Sequence, residues 1–357
     1  IAAVTWQQVI MWCLGALLIF LAIKKDMEPA LLLPMGFGAI LINIPFSGAE
    51  GVMSSLFAIG IEMNEIMPLV LFIGIGAMID FGPLLSNPKL FLFGGAAQFG
   101  IFLTILLAAA CGFSIEDAAS IGIIGAADGP TSIVVAQTLK SNYVGPIMVV
   151  AYSYMALVPI IQPAVIKLTT TKKERLIRME YKPASVSKRT KILFPILVTI
   201  VSGLIAPASL SLVGMLMFGN LIRECGVLNY LTDTAKDVLT NLVTLFLGIT
   251  IAFTMKAENF ITVQTLMIMG LGLCAFIFDT FSGVMLAKVM NLFLKEKINP
   301  MIGAAGISAF PMSARIVQKM GIKEDPTNHL LMHAVGANVS GQIASAIVGG
   351  LIIGLVL

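Results

Sequence analysis

The chain has 357 residues, of which 58% are hydrophobic and 11% are charged, and its formal net charge is +3. Since an ordinary soluble domain has about 25% charged residues, this composition excludes a soluble globular protein and predicts an integral membrane protein. Uncharged runs of about 20 residues, enough to span a bilayer as a helix, recur along the chain without β-barrel alternation. The sequence lacks the interleaved basic and aromatic residues that would indicate a nucleic-acid partner.

Six apolar segments are predicted in each half of the chain, all of them helical. In the first half they lie near 8–24, 29–45, 66–82, 89–112, 119–140 and 145–167. In the second half they lie near 191–206, 208–224, 237–256, 259–290, 300–320 and 327–355. No basic region precedes the first segment, so we expect a retained helix and not a signal peptide.

A basic stretch separates the two halves. From Lys167 to Lys191 it contains nine Lys or Arg residues and two Glu, and the positive-inside rule places such a loop in the cytoplasm. The predicted organisation is a first membrane repeat (1–166), a basic cytoplasmic linker (167–190) and a second membrane repeat (191–357). A basic loop sets topology, and it could also dock a soluble partner.

The two halves resemble each other at four points that occur in the same order. The recurrences are LFIGIG (71–76) with LFLGIT (245–250), GAADGPTS (125–132) with GAAGISAFPMS (303–313), and the equally spaced pairs Pro146/Gln162 and Pro326/Gln342. The fifth segment of each half is interrupted by Gly and Pro at matching places, which is typical of transporters with inverted repeats. The sequence predicts an all-α polytopic membrane protein: two inverted repeats with paired broken or re-entrant helices, and a transporter-like core plus scaffold.

Asp128 lies in the first interruption. Pro130 lacks a backbone donor and Gly129 tolerates unusual dihedrals, so the helix is expected to break beside Asp128. Freed carbonyls, the carboxylate and the hydroxyls of Thr131 and Ser132 would supply hard oxygen ligands, which suit Na⁺ or a proton. A carboxylate here could instead cap the following helix.

The second interruption has no acid but offers Ser308 and Ser313, with Arg315 on the following helix. Arg315 could hold an anionic group by charge-assisted hydrogen bonds. It could also be an interface arginine or the partner of a buried acid. Further on, Asn338 is a candidate oxygen ligand or an interhelical hydrogen-bonding residue.

Other polar residues in apolar segments have competing interpretations. Asp80 is expected to face the interface, whereas Asp279 is either a structural partner of a Lys or Arg or a group in ion passage. Tyr154 could relay a proton or simply pack with a satisfied hydroxyl. His329 and His333 share a helical face, but no third ligand is nearby, which argues against a zinc site.

Long blocks of the chain resemble the beta subunit of the sodium-pumping biotin-dependent decarboxylases, the family of oxaloacetate, methylmalonyl-CoA and glutaconyl-CoA decarboxylases. The blocks are EPALLLPMGFGAIL (28–41), FIGIGAMIDFGPLLSNP (72–88), IGIIGAADGPTSI (121–133), FDTFSG (278–283), NPMIGAAGISAFPMSAR (299–315) and LLMHAVGANVSG (330–341). The resemblance implies a membrane subunit that decarboxylates carboxybiotin and couples this reaction to Na⁺ export, with consumption of a proton. It also implies a location in the prokaryotic inner (cytoplasmic) membrane.

The resemblance implies roles for residues already singled out. Na⁺ is expected at Asp128 and Asn338, with Thr131 and Ser308 as further ligands. The expected catalytic residues are Arg315, Ser308, Tyr154 and Asn299. Of these, Tyr154 and Ser308 would serve ion or proton passage, and Arg315 and Asn299 would bind the carboxybiotin. The family often has Pro where Ala337 stands and Ala where Ser340 stands.

The chain has no biotin-acceptor stretch, so carboxybiotin would be carried on a separate subunit. By analogy with the family we expect a biotin carrier subunit, a carboxyltransferase (alpha) subunit, a small membrane-anchor (gamma/delta) subunit and a homotrimer of this chain. Two alternative functions share the inverted repeats and broken helices without any decarboxylation: a stand-alone Na⁺-coupled carboxylate transporter and a Na⁺/H⁺ antiporter.

Overall fold

The computed structural model describes residues 4–181 and 186–357, so Lys182 of the predicted linker lies outside the described residues, as do residues 1–3 of the predicted first repeat. Within the described ranges the chain forms helices and no strand. The helices of the first half are α1 (Trp6–Lys25), α2 (Pro29–Ile42), α3 (Ala49–Phe57), α4 (Ile66–Met78), α5 (Gly82–Ser86), α6 (Phe91–Ala96), α7 (Phe99–Ala110), α8 (Ile115–Gly122), α9 (Gly129–Thr138) and α10 (Val144–Thr169). Those that follow are α11 (Lys172–Arg175), α12 (Lys188–Ile205), α13 (Leu210–Cys225), α14 (Asn229–Asp233), α15 (Thr240–Ala252), α16 (Ala257–Phe260), α17 (Val263–Phe293), α18 (Met301–Ala304), α19 (Met312–Glu324) and α20 (Leu331–Val356).

Six helical stretches in the described residues are long and apolar enough to cross a membrane: Trp6–Lys25, Pro88–Ala110, Val144–Thr169, Asn229–Ala252, Val263–Phe293 and Leu331–Val356. A seventh crossing is possible through α3 and α4, which are bent by 63° at a short break. The prediction of an all-α polytopic membrane protein is confirmed. Helix α3 was not predicted, because Glu50, Glu62 and Glu65 interrupt the apolar pattern around it.

Helices α8 and α9 form a helical hairpin, here called the first hairpin (residues 115–138). Asp117 closes its base, because its carboxylate accepts hydrogen bonds from Ser141 Oγ at 2.7 Å and from the Asn142 backbone NH at 2.9 Å. With eight and ten residues, the two arms are about 12–15 Å long at 1.5 Å per residue. The first hairpin therefore enters the protein and returns on the same side.

Helices α18 and α19 form the second hairpin (residues 301–324). Both of its ends meet the segment that follows α10: Asn299 Nδ2 donates to the Arg175 carbonyl at 2.9 Å, and Arg175 Nε pairs with Glu324 Oε1 at 2.7 Å. Helix α10, with 26 residues and a length of about 39 Å, leads from the base of the first hairpin to the base of the second. The two hairpins consequently enter the protein from opposite sides.

The hairpin tips meet inside the protein, where the Ser308 backbone NH donates to the Ala126 carbonyl at 3.1 Å. The largest buried apolar cluster lies around the second hairpin and α20, and it includes Ile302, Val339 and Ile343. Opposed hairpins are what an inverted arrangement requires. The symmetry of the two complete halves, and their division into core and scaffold, stay predictions.

Asp80 follows α4 and lies in a charged cluster at its end. It pairs with Lys191 at 3.2 Å and with Arg223 at 3.8 Å, and its carboxyl accepts from the Gly82 backbone NH at 2.8 Å. Because Lys191 ends the basic stretch 167–191, Asp80 lies on the linker side of the protein. That Asp80 faces the membrane interface stays a prediction.

Candidate ion site at the two helix breaks

The first break lies at Ala127 and Asp128. Helix α8 ends at Gly122 and tightens into a 3₁₀ turn over Ile123–Ala126. Ala127 then has a left-handed backbone conformation (φ 51°) and Asp128 an extended one, before α9 begins at Gly129. A left-handed alanine is strained, so its neighbours must hold it in place. The predicted break beside Asp128 is confirmed.

The carboxylate of Asp128 is 2% exposed and points toward other side chains inside the protein. Its Oδ2 atom accepts hydrogen bonds from Thr131 Oγ1 at 2.6 Å, Gln342 Nε2 at 3.1 Å and Ser345 Oγ at 3.1 Å. Asp128 occupies the N-cap position of α9, but its side chain makes no capping hydrogen bond to that helix. Two of its three side-chain donors come from α20, so the residue joins the first hairpin to α20.

Helix α20 also contacts the second break. Asn338 Nδ2 donates to the Ile307 carbonyl at 2.6 Å, and Ser308 Oγ donates to the Gly341 carbonyl at 2.9 Å. The backbones approach so closely here that a Cβ atom at Gly341 would lie 2.0 Å from the Gly306 carbonyl oxygen. Only glycine fits at that position. One helix thus holds both breaks, which brings Asp128, Thr131, Ser308 and Asn338 into one buried region.

Two oxygens in this region have no hydrogen-bond partner. Asn338 Oδ1 is fully buried and unpaired, and so is the hydroxyl of Tyr152. The Tyr152 ring packs on the first break, where a Cβ atom at Gly129 would lie 2.3 Å from its Cζ atom. An unsatisfied buried polar atom costs about 1–3 kcal/mol, and a bound cation that takes up its lone pair would offset that cost.

The other predicted site residues lie elsewhere. The Tyr154 hydroxyl donates to the Met269 carbonyl of α17, and its ring packs on Gly272, away from Asp128. Asn299 is fully buried at the base of the second hairpin, where it donates to the carbonyls of Arg175 and Ile177. The structure therefore does not bring Tyr154 and Asn299 together with the residues at the two breaks.

Arg315 lies one turn into α19, on the hairpin arm that leads away from the second break. It is exposed, and among the described residues its guanidinium forms no ion pair. Glu28, just before α2, lies close enough for an electrostatic interaction. Burial raises the pKa of Glu28, and the positive charge of Arg315 partly offsets that rise. Arg315 is therefore a cation without a paired carboxylate at hydrogen-bond distance.

Sequence reasoning missed Gln342, Ser345 and Tyr152 as site residues. Gln342 and Ser345 follow Asn338 at four and seven positions, so the three side chains share one face of α20, and this helical spacing was a readable signal. Tyr152 gave no signal, because two tyrosines lie in the same apolar helix and only tertiary contacts tell them apart.

Gln162 and Gln342 are the matching glutamines of the two predicted repeats, and each one contacts the hairpin that belongs to the other half of the chain. Gln162 follows the first hairpin but donates to the second, reaching the Ala304 carbonyl at 2.7 Å and Ser313 Oγ at 2.5 Å. Gln342 follows the second hairpin but donates to Asp128 in the first. Each hairpin is held by a glutamine from the other half of the chain.

Comparison with known proteins agrees with this architecture. Residues 7–356 match the family model described as "Na+-transporting oxaloacetate decarboxylase beta subunit". The chain is 50% identical to methylmalonyl-CoA decarboxylase subunit beta of Propionigenium modestum, over 97% of this chain and 94% of that protein. It is 48% identical to glutaconyl-CoA decarboxylase subunit beta of Acidaminococcus fermentans, over 99% and 94%. It is 43% identical to the oxaloacetate decarboxylase beta chain of Klebsiella pneumoniae, over 98% and 95%.

These matches confirm the resemblance given by the sequence blocks, and they cover nearly the whole of the relatives' length. A beta subunit is by name part of a multisubunit enzyme, and the apolar helices make this one a multi-pass protein of the bacterial inner membrane. The chain belongs to the beta-subunit family of the Na⁺-transporting decarboxylases, the membrane subunits of sodium pumps that couple carboxybiotin decarboxylation to Na⁺ translocation.

Proposed function

We propose that Na⁺ binds where the two hairpin tips meet, with Asp128 as its charged ligand. The observation that carries the proposal is the buried Asp128 carboxylate on the same face of α20 as the unpaired Asn338 Oδ1. Thr131 and Ser308 would contribute hydroxyl oxygens, and Tyr152 would contribute its unpaired hydroxyl. Hard oxygen ligands of this kind suit Na⁺, which is the transported substrate here and not a resident cofactor.

Arg315 would bind the carboxylate of carboxybiotin that a separate subunit delivers. Its guanidinium is exposed and forms no ion pair among the described residues. Loss of CO₂ from a carbamate leaves a nitrogen that must take up a proton, so each decarboxylation consumes one proton. Asn299 would act by fixing the base of the second hairpin through its contacts with Arg175 and Ile177.

Coupling would follow from the contact between the hairpin tips. The Ser308–Ala126 hydrogen bond would close the path between the two sides, and either hairpin could separate from it. A cation at Asp128 can shift that equilibrium only if the alternative positions of the hairpins bind it with different affinity. Movement of the halves 1–166 and 191–357 against each other would then expose the site to one side at a time.

The linker offers a route by which a partner could act on the site. Arg175 and Arg178 pair with Glu324 and Asp325 at 2.7 Å each, so the linker is fastened to the base of the second hairpin. A biotin carrier that docks on the basic linker would therefore touch the structure that holds Arg315. We include a carboxyltransferase (alpha) subunit, a small gamma/delta membrane anchor and a homotrimer of this chain in the proposed assembly.

The test is Na⁺ uptake by proteoliposomes that contain the assembled complex, driven by the decarboxylation substrate and measured with and without avidin. We expect avidin to block uptake in the native complex and Asp128→Asn to abolish it. Asp233→Asn, which changes an exposed acid paired with Lys236, is the matched control and should transport normally. Uptake that ignores avidin and follows a carboxylate gradient would mean a Na⁺-coupled carboxylate transporter; uptake driven by a pH gradient alone would mean a Na⁺/H⁺ antiporter.

A further inference from the structure

Asp279, in the middle of α17, is a second fully buried carboxyl group that the proposed Na⁺ site does not use. Its Oδ1 atom accepts a hydrogen bond from the Gly100 backbone NH at 2.5 Å, at the start of α7. Its Oδ2 atom has no hydrogen-bond partner. Among the described residues no Lys, Arg or His forms an ion pair with it, so the predicted structural partnership with a basic residue is absent there.

The unpaired oxygen faces the first hairpin. A Cβ atom at Gly125 would lie 2.5 Å from Asp279 Oδ2, and its next neighbours would be carbon atoms of Ala275 and Ile101. Gly125 directly precedes Ala126, whose carbonyl accepts the hydrogen bond from Ser308. Asp279 therefore touches the first hairpin next to the contact between the two tips.

We propose that Asp279 is a proton-binding site of the pump, and that its Oδ2 atom carries the proton while the hairpins are closed. The surroundings select the ligand. Hard metal cations are held by several oxygens at once, whereas Oδ2 is buried without a polar partner among the described residues, and a proton can be held by a single oxygen. A neutral carboxyl also explains why this apolar position lacks a basic partner, because an isolated buried charge is strongly unfavourable.

Proton release would open the first hairpin. An ionised Oδ2 needs hydrogen-bond donors, and no donor of the described residues reaches it while Gly125 is packed against it, so Gly125 must move away. Of the elements packed against α17, α6, α7, α18 and the turn Ile123–Ala126 contain no acidic or basic residue. Helix α8 contributes Glu116 and Asp117, of which Asp117 is held by Ser141 and Asn142 at the base of the first hairpin, and α10 contributes Tyr152, Tyr154 and Lys167. The proton on Asp279 and Na⁺ at Asp128 would thus act on the same hairpin, the first at Gly125 and the second at Asp128.

This inference rests on the proposed function, and the test uses the same assembled complex in proteoliposomes. Asp279→Asn keeps an acceptor for the Gly100 NH but cannot exchange a proton. We expect Na⁺-stimulated decarboxylation by the variant to slow in parallel with uptake, because the hairpin cannot open without proton release, and to remain avidin-sensitive with its half-saturating Na⁺ concentration unchanged. Its Na⁺ uptake should fall about tenfold, and the dependence of uptake on pH should disappear. Asp233→Asn again serves as the control.

If Asp279 only caps α7, Asp279→Asn will show native uptake and a native pH profile, and the inference is overturned. If avidin fails to block uptake by the native complex, the proposed function is wrong. That result does not depend on the Asp279→Asn variant, so the two failures can be told apart. Should Asp279→Asn not assemble, infrared difference spectra of the Asp128→Asn complex between acid and alkaline pH decide the matter. A carboxylic acid band that disappears at alkaline pH, and that persists when Glu28→Gln is added, supports a protonated Asp279, and its absence refutes one.

Discussion

Gly341 is the most constrained point of the candidate site, and Gly341→Ala tests whether the packing of α20 on the second break controls the ion site. The added Cβ atom would lie 2.0 Å from the Gly306 carbonyl oxygen. Since van der Waals contact needs about 3.5 Å, the two backbones must separate by about 1.5 Å. That movement would break the hydrogen bond from Ser308 Oγ to the Gly341 carbonyl and strain the one from Asn338 to Ile307.

The expected loss of stability follows from these contacts. Overpacking of a tight interior costs about 1–3 kcal/mol, and each buried hydrogen bond that is lost costs about 0.5–1.5 kcal/mol. The same substitution in an unconstrained helix should instead gain about 0.5–1 kcal/mol. Gly354→Ala supplies that control, because Gly354 lies in the same helix and a Cβ atom there would meet no neighbour within 4 Å.

Two measurements on the assembled complex decide the outcome: thermal unfolding in detergent, and the Na⁺ concentration that gives half-maximal stimulation of decarboxylation. We expect Gly341→Ala to unfold at lower temperature and to need about tenfold more Na⁺, while Gly354→Ala equals or exceeds the native protein in stability. If Gly341→Ala matches Gly354→Ala in both measurements, the close contact does not shape the ion site and the reasoning fails.

Three further predictions follow from single contacts. Thr131→Ala should raise the half-saturating Na⁺ concentration about fivefold while Thr131→Ser restores it, because only the hydroxyl meets Asp128. Tyr152→Phe should impair Na⁺ stimulation without loss of thermal stability, whereas Tyr154→Phe should lower stability, since only the Tyr154 hydroxyl has a partner. Hydrogen bonds, first from the Thr327 backbone NH, lower the pKa of Asp325 from 3.8 to about 2. The stability it contributes should therefore be complete above the unfolded pKa and be lost as the pH falls toward 2, and Asp325→Asn should remove that dependence in unfolding scans.

The helices and the breaks could be predicted from the sequence because they depend on local chemistry. A charge-free run of about 20 residues has one stable solution in a bilayer. A Gly-Pro pair next to Asp128 interrupts a helix whatever surrounds it. Helix α3 escaped prediction because its length and composition fit neither a membrane span nor a typical loop, and because it continues into a π-helical turn at Ala58–Glu62.

The contacts of the candidate site could be predicted only in part. Periodicity along α20 indicates which side chains accompany Asn338, but not that Gln342 reaches a residue more than 200 positions earlier in the chain. The choice between Tyr152 and Tyr154 depends on how α10 is rotated against the first hairpin and α17. That rotation is set by packing of many apolar side chains, which leaves no local mark on either tyrosine.

Gln162 and Gln342 each connect one hairpin to a helix from the other half of the chain. Gln162 fastens the second hairpin to a helix of the first half, and Gln342 fastens the first hairpin to a helix of the second half. Any movement of one half against the other that opens a hairpin must therefore stretch at least one of these bonds. Because Gln342 donates directly to Asp128, a cation that attracts the carboxylate competes with that bond. Ion binding and hairpin movement would then be linked by the same atoms, with no need for a longer chain of intermediates.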